Sequence, residues 1–294
     1  MPTLPIKLQE ALKEYQEPKP QRFSAQSKCI YAIAVCYYRN KRYLQNFLSK
    51  SVGHQKRQAY LPSTVARHQS LLFKKLGDNN EYLQHQKVKN LALALQKIDK
   101  VILEPGQTFS YWHLIGRPKE RDGYQAGMLL SRGKVVEGIG GGLCQLSNLL
   151  YWLFLHSPVE ILERYHHSYD VFPDSGRVLP FGSGATVFYN YVDLVVKNIS
   201  SQSLQLKLWL TDKQLKGQIL SSKPFELKYR VREENHCFVN WKGNLFRYNE
   251  LWQNVYKEGK LLETRFITKN FAPVLYQTNT KTLLEKGYKV LEIN

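Results

Sequence analysis

The sequence has few cysteines and no long apolar run. Its four cysteines in 294 residues are too few for a disulfide scaffold, so we expect free thiols. The longest apolar stretches, Cys29–Tyr38 and Leu149–Leu155, are too short to span a bilayer. Residues 1–24 lack the apolar segment of a secretion signal. These absences predict a cytoplasmic protein, and they leave peripheral attachment to the inner face of a membrane open.

Acidic residues are also scarce, because 24 Asp and Glu face 42 Lys and Arg, for a formal net charge of +18. The shortage lies mainly in residues 1–100, which hold 18 basic and 6 acidic side chains, whereas residues 101–220 hold 11 and 10. A basic region predicts an anionic partner, either an anionic lipid surface, an acidic wall polymer or nucleic acid. Nucleic acid is the weakest of these interpretations, because no recognisable binding motif accompanies the charge.

The hydrophobic pattern predicts an α+β protein in three parts. Residues 1–100 form a basic, mainly helical region. Residues 101–220 form a core in which a cysteine-bearing helix packs on antiparallel strands. Within this core, Leu204–Leu210 alternates apolar and polar residues as a half-buried strand does. Residues 221–294 are a β-rich extension.

Three local predictions complete the fold. Residues 64–76 and 81–99 are expected to be helical, with Asn90 as a second candidate helix start inside the latter segment. The aromatic segment Thr108–Leu114 is expected to be extended.

A glycine-rich turn, Gly138–Gly142, delivers Cys144 to the start of a predicted helix. The apolar face of that helix is marked by the i, i+3, i+4, i+7 spacing of Leu146, Leu149, Leu150 and Leu153. Helix N-termini carry free N–H groups and a partial positive charge, and both favour a thiolate. Because the thiolate is the reactive form of cysteine, the turn predicts a nucleophile.

A cysteine nucleophile also needs a base within hydrogen-bond reach. The nearest candidates downstream are His166 and His167. If residues 163–171 form a strand, alternation places His167 on the more apolar face, beside Tyr165 and Tyr169. That face is the one expected to pack on the Cys144 helix, which favours His167.

The cysteines and glycines also have other interpretations. A single cysteine is most often a small buried residue. The turn lacks the Gly-Lys-Ser/Thr ending of a phosphate-binding loop. Cys29 and Cys36 lack the Cys-x-x-Cys spacing of a zinc site. We therefore expect neither a metal nor another cofactor.

Several short motifs in a fixed order resemble the VanW family, which is named for an accessory protein of vancomycin-resistance clusters. The motifs are Pro105–Ser110, Gly123-Tyr124, Gly140–Ser147, Leu150-Tyr151, Glu163-Arg164 and His167-Ser168. The resemblance covers roughly residues 85–215 and continues through Asp193-Leu194 and Asn198.

The resemblance implies a bacterial cell-envelope context and, for some members, cysteine L,D-transpeptidase chemistry on peptidoglycan stem peptides. Carried over to this chain, Cys144 is the nucleophile, His167 its base and Gln145 a stabiliser of the oxyanion. The residues implied in substrate binding are Gly140, Gly141, Gly142, Tyr124, Arg164 and Ser168. The implied partner is a stem peptide or a lipid-linked precursor.

The chain departs from the family pattern at two positions. Gly184 stands where many members carry an acidic residue, and Asn148 stands where a threonine is common. Asp170 and Asp174 are the alternative acids for orienting the histidine. The leading hypothesis is a cysteine acyl-transfer enzyme. The alternatives are a non-catalytic accessory protein that holds a peptide in the same cleft and, less favoured, a nucleic-acid-binding protein.

Overall fold

The computed structural model describes residues 4–17, 27–48, 59–73, 81–131, 134–166, 168–171, 173 and 178–293. The chain divides into two compact units. The larger unit comprises residues 22–166 and 184–229, and the smaller unit comprises residues 1–21, 167–183 and 230–294. The predicted α+β class with a β-rich C-terminal part is confirmed. The three-part division by residue number stays a prediction.

Helices and strands alternate irregularly along the chain. The helices are α1 (Ile6–Gln16), α2 (Lys28–Leu48), α3 (Glu81–Ile98), α4 (Tyr111–Ile115), α5 (Cys144–Leu155) and α6 (Thr280–Glu285). The strands are β1 (Ser63–Leu71), β2 (Ile102–Leu103), β3 (Thr108–Ser110), β4 (Ala126–Ser131), β5 (Lys134–Ile139), β6 (Val159–Glu163), β7 (Val195–Asn198), β8 (Leu204–Leu210), β9 (Gln214–Ser221), β10 (Leu227–Trp241), β11 (Asn244–Lys257), β12 (Lys260–Pro273) and β13 (Val290–Ile293). Within the ranges described above, no helix combines the length and the apolar character needed to cross a membrane.

The larger unit is built around α5. A four-stranded antiparallel sheet has the order β1-β9-β8-β2, a second sheet has the order β3-β7-β6, and β4 pairs with β5. Gly217 of β9 leaves room for α5, because a Cβ there would lie 2.7 Å from Leu149 and 2.9 Å from Leu153. The four leucines predicted for the apolar face of α5 are all buried, so the helix packs on antiparallel strands as expected.

The smaller unit has its own sheet and core. Its strands follow the order β12-β11-β10-β13, with β10 and β13 parallel. Helix α1 contributes Leu8, Ala11 and Leu12 to a cluster with the β10 and β11 side chains. A buried ion pair joins Arg247 to Asp170 at 3.4 Å, and both side chains are 3% exposed.

Four local predictions differ from the structure. The helix predicted over residues 64–76 is wrong, because Ser63–Leu71 is β1 and pairs with β9, whereas residues 74–76 lie outside the described residues. Helix α3 continues through Asn90, so the second helix start is wrong. The segment Thr108–Leu114 is extended only to Ser110, whose hydroxyl accepts the His113 N–H and caps α4. The strand proposed over residues 163–171 ends at Glu163.

Candidate functional site

The glycine turn ends where α5 begins, at Cys144, as predicted. Gly140 and Gly142 have φ angles of +78° and +90°. These values lie in the left-handed region, which side chains with a Cβ rarely adopt. The two glycines therefore make the sharp reversal that brings Cys144 to the first position of the helix.

Asn90 of α3 binds the backbone of the turn through its side-chain amide. Its side chain is fully buried, and its amide nitrogen donates to the carbonyl oxygens of Gly141 at 2.9 Å and Gln125 at 3.0 Å. Its oxygen accepts the Gln125 N–H at 2.8 Å. A buried polar group with all its hydrogen bonds made rigidifies its surroundings.

The backbone of the turn lies directly against β4. A Cβ on Gly141 would come within 2.0 Å of the carbonyl carbon of Gly127. From the other side, the Tyr111 hydroxyl donates to the Leu143 carbonyl oxygen at 2.9 Å. Sequence reasoning placed no function on Tyr111, because its partner is 32 positions away.

Most N–H groups of the turn are already used. Those of Gly140, Gly141, Gly142 and Gln145 donate to backbone oxygens at 2.9–3.0 Å. Among the residues that the structure describes, the N–H groups of Leu143 and Cys144 have no backbone acceptor. Two adjacent N–H groups without a backbone acceptor beside a thiol are the arrangement that an oxyanion hole requires, and the Cys144 N–H also interacts with its own sulfur.

The Cys144 thiol rests in its protonated form. Burial raises the pKa of Cys144 above its ordinary value, since desolvation disfavours the thiolate. Its sulfur lies 4.0 Å from the carbonyl oxygen of Val187, to which the thiol donates. The favourable effect of the helix start on the thiolate is therefore outweighed by burial.

Gln145 points its amide away from the thiol in this structure. Its Nε2 donates to Ser70 Oγ at 2.9 Å and to the Leu71 carbonyl oxygen at 2.8 Å, so both hydrogens bind β1. Its assignment as an oxyanion stabiliser stays a prediction, and it requires the side chain to leave these partners.

The two departures from the family pattern touch each other. Asn148 Oδ1 accepts the Ala185 N–H at 2.7 Å, and a Cβ on Gly184 would lie 2.6 Å from the same oxygen. A side chain at position 184 therefore needs the Asn148 amide to move. An orienting acid there is sterically coupled to the choice of residue at position 148.

Arg164 joins this segment to α5. Its Nε donates to the Gly184 carbonyl oxygen at 2.9 Å, and its guanidinium lies 4.9 Å from the centre of the Tyr151 ring. Burial lowers the pKa of Arg164. Its assignment to substrate binding stays a prediction.

Tyr124 is fully buried beside the turn. Within the described part of the chain, its hydroxyl has no hydrogen-bond partner. Burial, with a smaller effect of Asp122, raises the pKa of Tyr124 to about 12. An unpartnered buried hydroxyl is rare and marks a place where a ligand group or a water can bind.

The remaining predicted residues do not complete the site. His167 and Asp174 lie outside the described residues. Ser168 is exposed in the smaller unit. Asp170, an alternative orienting acid, already accepts from Arg247 and from the Tyr276 hydroxyl at 3.3 Å. Because no strand continues past Glu163, the alternation that favoured His167 over His166 does not hold, and the family resemblance alone supports that choice.

Comparison with known proteins identifies the family. Residues 86–220 match the family model described as VanW like protein. The chain is 27% identical over 244 residues to the Vancomycin B-type resistance protein VanW of Enterococcus faecalis, an alignment that covers 82% of this chain and 87% of that protein. It is 29% identical over 118 residues to the uncharacterized protein YoaR of Bacillus subtilis, covering 40% of this chain and 37% of that protein. No solved structure matches.

The resemblance to the VanW family that the motifs predicted is confirmed for residues 86–220. The family match contains the glycine turn, Cys144, Arg164 and the position of His167.

Proposed function

We propose that this chain acts in bacterial cell-envelope metabolism or glycopeptide resistance, as a cysteine acyl-transfer enzyme of L,D-transpeptidase type. Its substrate is a peptidoglycan peptide or a precursor of one. The observation that carries the proposal is the thiol of Cys144 beside two backbone N–H groups, those of Leu143 and Cys144, which have no backbone acceptor in the described residues. The resistance protein of Enterococcus faecalis supports the envelope context.

The reaction takes two steps. The sulfur of Cys144 attacks a carbonyl carbon of the donor peptide, and the carbonyl oxygen takes up negative charge opposite the two free N–H groups. The C–N bond of the donor then breaks, and the amine leaves with the proton taken from the thiol. In the second step an acceptor amine attacks the thioester carbonyl, a new C–N bond forms as the C–S bond breaks, and the released sulfur takes the proton that the amine loses.

The raised pKa of Cys144 sets a condition on this chemistry. Because the resting thiol is neutral, a base must take its proton as the ligand binds or as the attack begins. The resemblance assigns that task to His167. Thiol reactivity is therefore expected to be low in the free protein and higher when a peptide is bound.

Intact-mass analysis after incubation with stem-peptide fragments tests the proposal. The expected result is a protein whose mass has increased by one acyl group, with no increase in the Cys144→Ala variant. An acceptor amine should then remove the added mass. A folded protein that binds the fragments and never gains mass at Cys144 would contradict acyl transfer.

A non-catalytic peptide-binding role is the second candidate. It is favoured by the thiol that donates to Val187 and by the Gln145 amide that is already bound to β1. In this role the same cleft holds the peptide without a covalent step. Binding of a stem-peptide fragment with equal affinity to the native protein and to Cys144→Ala, without an adduct, would select it.

An anionic membrane surface is the partner that best fits α2. Residues 18–77 contain twelve Lys and Arg and no Asp or Glu. Large apolar side chains on one side of α2 are exposed, among them Ile30 at 42%, Ile33 at 68% and Phe47 at 85%. An exposed apolar helical face within a basic segment is the pattern of a helix that lies on an anionic lipid surface. We propose this contact as the route by which the protein reaches lipid-linked precursors.

A further inference from the structure

A cavity of about 550 Å³ opens in the larger unit between α2 and the loop that follows α4. Its polar lining consists mainly of three cationic side chains and three tyrosines, namely Arg39, Arg117, Lys119, Tyr31, Tyr43 and Tyr189. None of its lining residues is acidic. The volume is within the usual range for a small-ligand pocket.

The cavity adjoins the glycine turn at one wall. Pro118 stands between the two cationic residues of the loop, and a Cβ on Gly140 would lie 2.6 Å from the Pro118 Cβ. The loop that carries Arg117 and Lys119 is therefore in contact with the turn that ends at Cys144.

One wall of the cavity belongs to the chain segment that contacts the Cys144 thiol. Tyr189 follows Val187 by two residues, and the Val187 carbonyl oxygen is the group to which the Cys144 thiol donates. Trp112 stacks edge-on against Tyr189 with ring centres 5.6 Å apart, which fixes this wall to α4. The same short segment therefore contacts Cys144 through Val187 and lines the cavity through Tyr189.

The positive charge of the cavity is not neutralised by its neighbours. Glu163 contacts α2, but its carboxylate is paired with Arg42, whose guanidinium donates to it at 2.6 Å. Arg39 donates through Nε to the Tyr189 carbonyl oxygen at 3.4 Å and lies over the Tyr189 ring. For Arg117 and Lys119 no ion pair is found within the described residues. Uncompensated cations in a concave site attract an anion, and guanidinium groups match the two oxygens of a carboxylate.

We propose that this cavity binds the terminal carboxylate of a peptide whose reacting carbonyl lies at Cys144. The inference rests on the proposed function, because it names the part of the peptide that the site recognises. Arg39 and Arg117 hold the carboxylate, and Lys119 adds charge. The Tyr43 and Tyr189 hydroxyls are hydrogen-bonded to each other at 2.5 Å, so one of the pair can still donate to the carboxylate. Tyrosine rings form the apolar walls.

Calorimetric titration of the Cys144→Ala protein tests the inference without acylation. The two ligands are a stem-peptide fragment with a free terminal carboxylate and the same fragment as its terminal amide. The carboxylate is expected to bind about tenfold more tightly or better, since hydrogen bonds to charged groups are the stronger ones. Arg117→Gln should remove most of this preference, and Arg121→Gln should keep it. Arg121 is an exposed arginine of the same loop that lies outside the cavity.

The outcomes separate this inference from the proposed function. Equal binding of the two fragments overturns it, and so does an Arg117→Gln protein that keeps the full preference. Inorganic phosphate that displaces the peptide at comparable concentration overturns the assignment to a carboxylate. If neither fragment binds, the carboxylate site is rejected. Acyl transfer is still decided separately, by whether the mass of the native protein increases at Cys144.

Discussion

The glycine turn and helix α2 lie in the same unit and expose opposite kinds of surface. The turn is buried at Gly140 and Gly141 and half-buried elsewhere. Its carbonyl and N–H groups bind Asn90, Gln125 and Met128, and its backbone contacts that of β4. None of the described side chains of α2 is fully buried, and several of its largest apolar residues face solvent.

The residue types in the two segments have different physical causes. In the turn, residue identity follows from space and backbone angle, since Gly141 has no room for a Cβ and Gly140 needs a positive φ. In α2, the exposed apolar side chains are not buried by the fold of the unit, which is the observation behind the proposed membrane contact. In the proposed function, the turn places the chemistry and α2 brings the protein to a lipid surface.

The strongest test of the comparison is Gly141→Ala. The added Cβ would meet the Gly127 carbonyl carbon at 2.0 Å, where only backbone can yield. We expect a loss of about 4 kcal/mol or more in the free energy of unfolding, or failure to fold. Urea denaturation followed by tryptophan fluorescence measures the change.

Gly106→Ala is the matched control in the same unit. Gly106 has a φ of +77° and no atom within 4 Å of an added Cβ. Its replacement should therefore cost only the strain of the left-handed backbone, about 1–2 kcal/mol. If both variants lose the same stability, close packing of the turn against β4 is not what fixes its position.

Acid pH gives a second test. Helix α2 contains no acidic residue, but the charge of its Arg42 lowers the pKa of Asp193 in part. Asp193 is fully buried near the turn, and burial raises its pKa to about 6, against the partial effect of hydrogen bonds from Ser110 and Trp112. With an ordinary value of 3.8, the folded state binds more protons between pH 4 and pH 6. Stability should therefore fall as pH rises through this window, by up to about 3 kcal/mol from this group.

The contribution of Asp193 is isolated by comparison with Asp193→Asn. Urea denaturation from pH 4 to pH 7 measures the unfolding free energy of both proteins. As pH rises, the native protein should lose stability relative to Asp193→Asn. A constant difference would show that Asp193 titrates normally. Binding to vesicles through α2 should stay unchanged over the same range, apart from effects of lipid protonation.

The parts that could be predicted are those encoded locally. Helix α5 follows from its leucine spacing and the glycines before it. By contrast, β1 was predicted as a helix because its strand state depends on pairing with β9, about 150 residues later. The N-cap at Ser110 overrode the extended tendency of the aromatic residues after it.

In the candidate site, too, only the residues that are close in sequence could be predicted. The glycines and Cys144 are adjacent in sequence and could be recognised, whereas Asn90 and Tyr111 act on the turn across 51 and 32 positions. Likewise, the contact between Asn148 and Gly184 links two departures that the sequence shows as separate events. Long-range partners of this kind require the fold.

The smallest expected effect on stability is at the exposed face of α2. Replacement of Ile33 and Phe47 by serine should change the unfolding free energy by less than about 1 kcal/mol, because both side chains are mostly exposed. The same double variant should weaken co-sedimentation with anionic vesicles by about tenfold or more, since each side chain contributes roughly 1.5–3 kcal/mol when buried in lipid.

Leu262→Ser with Leu284→Ser is the control, because these residues are also exposed, at 59% and 54%, but belong to the smaller unit. This pair should leave vesicle binding unchanged, and neutral vesicles should bind weakly in every case. Binding that survives the α2 changes would remove the physical reason given for its exposed apolar face. A native protein that does not bind vesicles and instead binds nucleic acid, with an affinity that falls steeply with salt, would show that nucleic acid is the partner of the basic segment. The proposed membrane role of α2 would then be rejected.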